Sequence, residues 1–66
     1  MIITLVPAYG RDYASQKDVR EDWEAGKDFR VAGGPYINKQ DAVDGGIRTV
    51  NIRYNDATRV LPVDVK

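Results

Sequence analysis

The sequence predicts an α+β domain: a small antiparallel or mixed sheet of three to five strands, one helix packed on one face, and a β-hairpin at the end of the chain. Three observations carry this. A β-branched run opens the chain, an amphipathic segment between Ser15 and Gly26 has both a start and a stop signal for a helix, and the last third alternates apolar and polar residues around an Asn-Asp pair. With 66 residues there is room for one domain, residues 1–66, and one core.

Ile2 to Val6 reads as a strand because it is short and β-branched. Pro7 has no amide hydrogen, so it ends that strand or places it on a sheet edge. Ala8 to Ala14, with Gly10, reads as a loop. A helix is expected over residues 16–25. The Ser15 hydroxyl can accept from the amide of Asp18, and Asp18 can reach back, a compact form of the capping box. Val19 and Trp23, four apart, share one face, and Gly26 can take the left-handed conformation that closes a helix.

Asp28 to Ala32 alternates around Phe29 and Val31 and reads as a second strand. Gly33-Gly34-Pro35 is a turn, Tyr36-Ile37 a short strand, and Asn38 with Asp41 three later opens one short helical turn that Asp44-Gly45-Gly46 ends. For the hairpin, a two-residue loop at Asn55-Asp56 sets Tyr54 opposite Ala57, Ile52 opposite Arg59, Val50 opposite Leu61 and Arg48 opposite Val63. That face is mainly apolar. The other carries Thr49, Asn51 and Arg53 against Thr58, Val60 and Pro62, and Pro62 puts the last strand on an edge or at a bulge. Trp23 and Val19 are then expected to press onto Phe29, Val50, Ile52 and Leu61.

The composition removes most catalytic chemistry. There is no histidine and no cysteine, so Ser-His-Asp and Cys-His nucleophiles, disulfides and the usual zinc ligand sets are absent. The one serine, Ser15, is accounted for as a cap. Asp41-Ala42-Val43-Asp44-Gly45 lacks the alternating oxygen ligands of a calcium loop, and neither dinucleotide nor P-loop glycine spacing occurs. Asp18 and Asp22 fall on one helix face, where solvated structural acids are the simpler reading. The chain is therefore expected to be no enzyme and to hold no metal or cofactor. The longest apolar run is too short to cross a membrane, and its start lacks a basic leader region, so a cytoplasmic protein is expected.

Ten basic and ten acidic residues leave no net charge to draw the chain to nucleic acid or a membrane. The charges are uneven, though. Residues 15–25 set Lys17 and Arg20 against Asp18, Glu21, Asp22 and Glu24, while residues 46–61 set Arg48, Arg53 and Arg59 against Asp56. Two surfaces follow as binding candidates. The first is the loop Tyr9, Arg11, Asp12 and Tyr13, whose aromatics and arginine are the residue types enriched at protein interfaces. The simpler alternative there is one tyrosine packed under the loop and Arg11 paired with Asp12. The second is a basic sheet face with Asn51 and Arg53, joined by Arg30, Tyr36 and Lys39, which has the chemistry to track phosphates and stack a base. The alternative is an ordinary solvated sheet face.

The stretches Val6-Pro7-Ala8-Tyr9-Gly10-Arg11-Asp12-Tyr13, Asp22-Trp23-Glu24-Ala25-Gly26-Lys27-Asp28-Phe29, Tyr36-Ile37-Asn38-Lys39-Gln40-Asp41-Ala42 and Val50-Asn51-Ile52-Arg53-Tyr54 resemble small uncharacterised proteins encoded by bacteriophages and other mobile elements. The resemblance implies an accessory role in a bacterial cytoplasm and assigns no residue a role. Together with the missing catalytic residues, it makes a non-catalytic protein that binds a host or phage protein the leading expectation. A nucleic-acid-binding sheet is the alternative.

Overall fold

A computed structural model describes residues 3–8, 11–55 and 58–65. Five strands and two helices follow in the order β1 (Ile3–Pro7), α1 (Gln16–Glu24), β2 (Phe29–Val31), β3 (Tyr36–Ile37), α2 (Lys39–Asp44), β4 (Thr49–Tyr54) and β5 (Arg59–Asp64). The strands form one mixed sheet in the order β3-β2-β1-β4-β5. Among the described residues, only the β1–β4 pair is parallel. The connection between those two strands contains both helices, as a parallel crossover requires. The α+β architecture read from the sequence is therefore the architecture of the protein.

Both helices are framed by local chemistry. At α1, extended Ser15 accepts from the Asp18 amide at 3.4 Å. At its other end Gly26 has φ +84°, Gly26 N donates to Trp23 O, and Lys27 N donates to Asp22 O. These are the two bonds of a Schellman stop. The second helix is more than one turn. Asn38 and Asp41 form a complete capping box, and Gly46 N and Ile47 N close the end onto Val43 O and Ala42 O. The reciprocal box foreseen at Ser15 is thus found at Asn38.

Pro7 ends a strand that lies in the middle of the sheet, not at its edge. Ala32 N donates to Thr4 O, so Thr4 and Val6 direct their backbone groups to β2, and the Pro7 nitrogen faces the β4 side. There the parallel register runs only from Ile3 to Leu5, so no ladder bond is lost. Ile2, the expected first residue of this strand, lies outside the described residues.

The hairpin keeps its faces but shifts its register by two residues. Tyr54 pairs with Arg59, Ile52 with Leu61 and Val50 with Val63. The expected pairs Ile52–Arg59, Val50–Leu61 and Arg48–Val63 are not formed, and Ala57, expected opposite Tyr54, lies outside the described residues, as does Asp56. Positions 55–58 connect the strands. Asn55 takes φ +56°, and Thr58 donates to Asn55 O through both its amide (3.2 Å) and its hydroxyl (2.6 Å). This longer loop sets Val63 under Val50 and Leu61 beside Ile52, instead of spending Ile52 on an arginine.

Alternation assigns every strand residue a face. Leu5, Phe29, Val50, Ile52, Tyr54, Leu61 and Val63 point to one side and form the core with Val19 and Trp23 of α1 and Ala42 of α2. Trp23 meets Phe29 edge-on with centroids 5.7 Å apart. The residues between them in the strands belong to the opposite side and contribute nothing to this cluster. The sheet therefore has helices on one face only. Among the described residues, no helix is long and apolar enough to cross a membrane.

Candidate functional site

The structure divides the loop quartet. Tyr9 lies outside the described residues. Tyr13 is in the core, 8% exposed, with its ring stacked on Phe29 at 6.3 Å. Its amide donates to Asn55 Oδ1 at 3.1 Å and its hydroxyl to Asp22 Oδ2 at 2.8 Å. Arg11 pairs with Asp22 at 2.6 Å, not with Asp12, which stands exposed. Tyr13 is therefore the tyrosine packed under the loop, and it offers no aromatic surface to a partner.

Asp22 is the hub of this cluster. It accepts from Tyr13 and Arg11, and Lys27 lies 3.7 Å away. Burial acts to raise its pKa, but the two hydrogen bonds and the two cations outweigh it, and the net shift is downward. Tyr13 moves the other way: burial, then its bond to the Asp22 carboxylate, pushes it up to about 12. The hydrogen bond to Asp22, then that to Tyr13, raises Arg11 further. Ala8, Arg11, Tyr13, Gly26, Lys27 and Asp28 line an open cleft of about 320 Å³. Its two cations are both engaged by Asp22, so the cluster ties the loop to α1.

The second set fares differently. Arg30 lies opposite Tyr36 on β2–β3, and Val6 lies opposite Arg30 on β1. Extending the β1–β4 register by one residue sets Arg53 beside Val6, and Arg53 pairs with Val60. One row thus crosses the whole sheet: Tyr36, Arg30, Val6, Arg53, Val60. Next to it runs a row with Thr4, Asn51 and Pro62. All of these side chains belong to the face without helices. Tyr36 and Val60 are each 50% exposed, and Arg30, Arg53 and Pro62 are also exposed. Four of the five residues read from the sequence as a basic sheet face therefore do share one face. Lys39 does not: it pairs with Glu24 and joins α2 to α1 on the helix side.

Sequence reasoning set Val60 and Pro62 on the face of Asn51 and Arg53 but missed Val6. Val6 was read only as strand, and Val60 and Pro62 as one side of a hairpin. Alternation along the hairpin carried the signal for Val60 and Pro62, whereas Val6 joins the face through its pairing with Arg30 on β2, for which the sequence holds no local signal.

The ion pairs sharpen the contrast. Among the described residues the pairs are Arg11–Asp22, Lys17–Glu21, Lys27–Asp22 and Lys39–Glu24, all on the helix side. Arg30, Arg48, Arg53 and Arg59, on or beside the strands, have no carboxylate partner among the described residues. No family model, curated protein or solved structure matches the chain. The role of the open face is therefore argued from its own side chains.

Proposed function

We propose that this chain is a non-catalytic accessory protein that docks a protein partner on the open face of its sheet, acting in a bacterial cytoplasm as its resemblance to phage and mobile-element proteins suggests. One observation carries the reading: Tyr36, Arg30 and Val6 in one half of the sheet, and Arg53 and Val60 in the other, one residue past the last β1–β4 pair, share the face that no helix covers. Tyrosine and arginine among small apolar residues, with Asp64 at the β5 edge the one carboxylate among the strand residues of this face, approach the composition of an interface core. The sequence supports the non-catalytic part, since it supplies neither histidine nor cysteine.

Capture from bacterial lysate tests this. The wild-type chain is expected to retain a partner that Arg30→Glu/Arg53→Glu loses, with unchanged circular dichroism. Equal capture by both would sink the reading. A second reading, binding of single-stranded nucleic acid, is favoured by the shared placement of Arg30, Tyr36, Asn51 and Arg53. Magnitude sets it second: two arginines neutralise two phosphates, which gives a log–log salt slope of only about −1.4. Titration of a fluorescent oligothymidylate at low salt, with no binding at micromolar protein, would remove it.

A further inference from the structure

We infer that the open face takes an acidic amphipathic helix of the partner; this rests on the docking reading above and names what docks. The mode of docking follows from the edges. Val65 N donates to Arg48 O, so by antiparallel alternation Val60, Pro62 and Asp64 are the β5 residues whose backbone groups point outward. Pro62 has no amide to offer there, and its carbonyl accepts from Arg20 Nη2 at 3.4 Å. The opposite edge, β3, is two residues long. Strand addition has little to hold on either side. What remains is the face, and a helix is the element that covers a sheet face. The chain's own α1 does so on the inner side with Val19 and Trp23, four residues apart.

The charge of the occupant follows from the arginines, which outnumber Asp64, the carboxylate at the β5 edge of this face, two to one. Arg30 pairs with Val6, and Arg53 follows the last β1–β4 pair, Leu5–Ile52, by one residue, so the two arginines stand on one face on strands separated by β1. Two strand spacings put them about 10 Å apart. Residues i and i+7 on one face of a helix lie about 10.5 Å apart, with i+3 and i+4 between them. A helix with carboxylates at i and i+7 and an apolar residue between matches Arg30, Val6 and Arg53. A second copy of this chain does not supply such a helix. In α1, Glu21, Asp22 and Glu24 are held by Lys17, Arg11, Lys27 and Lys39, which leaves Asp18 with no second carboxylate of that helix for the second arginine, and in α2 Asp41 caps its own helix while Asp44 accepts from Gln40.

The test uses the full 15N-labelled chain and two peptides of about 18 residues, long enough to be helical. Both carry the same leucine stripe; one has Glu at i and i+7, the other Lys. The Glu peptide is expected to bind about tenfold tighter, with amide shifts centred on Val6, Arg30, Arg53 and Val60, and Arg30→Glu/Arg53→Glu is expected to reverse the preference. Equal affinity of the two peptides, or shifts centred on α1 and α2, overturns the inference. Tighter binding of oligothymidylate than of the Glu peptide overturns it in favour of nucleic acid. If lysate capture depends on Arg30 and Arg53 but the Glu peptide neither binds nor competes, the helix inference fails while the docking reading stands. If capture ignores both arginines, the docking reading itself has failed.

Discussion

Asp22 shows how one side chain can decide the use of a loop. Two donors, Tyr13 and Arg11, and a second cation, Lys27, converge on it, and both donors lie in the segment that leads into α1. Because its folded pKa is lowered, folding favours the ionised form. The stabilisation is present above the unfolded value near 4 and is lost as pH falls through the folded value. Tyr13 gives the complementary limb: its neutral form is favoured, so its contribution is complete below pH 10 and is lost as pH rises toward about 12. Asp22→Asn is expected to cost on the order of 1 kcal/mol at pH 7 and to flatten the acid limb of a urea-denaturation series. Tyr13→Phe should flatten the alkaline limb. An acid limb unchanged in Asp22→Asn would show that other carboxylates carry it. A tyrosine packed under the loop was legible in the sequence, but its tie to Asp22 was not. A tyrosine in a glycine-bearing loop beside Asp12 offers a near partner, and the partner actually used stands nine residues further on, brought close only because α1 folds back over the sheet.

At the scale of elements, local chemistry was legible and pairing was not. The caps at Ser15 and Asn38 and the glycine stops at Gly26 and Gly46 are short-range signals written in adjacent residues, and both helices end where those signals stand. The hairpin is the counterexample. Loops of two and four residues differ by an even number, so alternation sorts the faces identically for both, and the faces were right while the register was not. What distinguishes them is packing at the far end, where Val63 meets Val50. The same register explains Pro62 as a guard. It occupies an outward-pointing position in the middle of the edge strand, and Arg20 covers its carbonyl. Pro62→Thr/Arg20→Ala restores a donor and frees an acceptor on a six-residue edge. Sedimentation velocity over rising concentration should show this variant associating where the wild type does not. Identical sedimentation of the two chains would mean that the edge is guarded by something else.

At the scale of the whole molecule, a zero net charge conceals an acidic set of helices and loops and a basic set of strands. The helices, their caps and the loops around them carry Arg11, Lys17, Arg20, Lys27 and Lys39 against Asp12, Asp18, Glu21, Asp22, Glu24, Asp28, Asp41 and Asp44, an excess of three negative charges. The strands and Arg48 carry Arg30, Arg48, Arg53 and Arg59 against Asp64, an excess of three positive charges, of which Arg30, Arg53 and Asp64 lie on the open face and Arg59, opposite Tyr54, on the face of the helices. The sequence showed only a mild version of this, because Arg30 joins Arg53 only when the sheet order places β2 and β4 on either side of β1. The molecule measures 28 × 24 × 18 Å. Even its thinnest dimension exceeds the screening length of about 10 Å at 0.1 M salt, so an oncoming surface meets the field of one set, not the average. The chain should therefore be retained at pH 7 and low salt on both cation and anion exchangers, despite its neutral balance. Arg30→Glu/Arg53→Glu should abolish retention on the cation exchanger and strengthen it on the anion exchanger. Since neither arginine has a carboxylate partner among the described residues, its unfolding free energy should stay within about 0.5 kcal/mol of wild type. Loss of retention together with a large loss of stability would mean that these arginines hold the fold together, and that the open face is not free to bind.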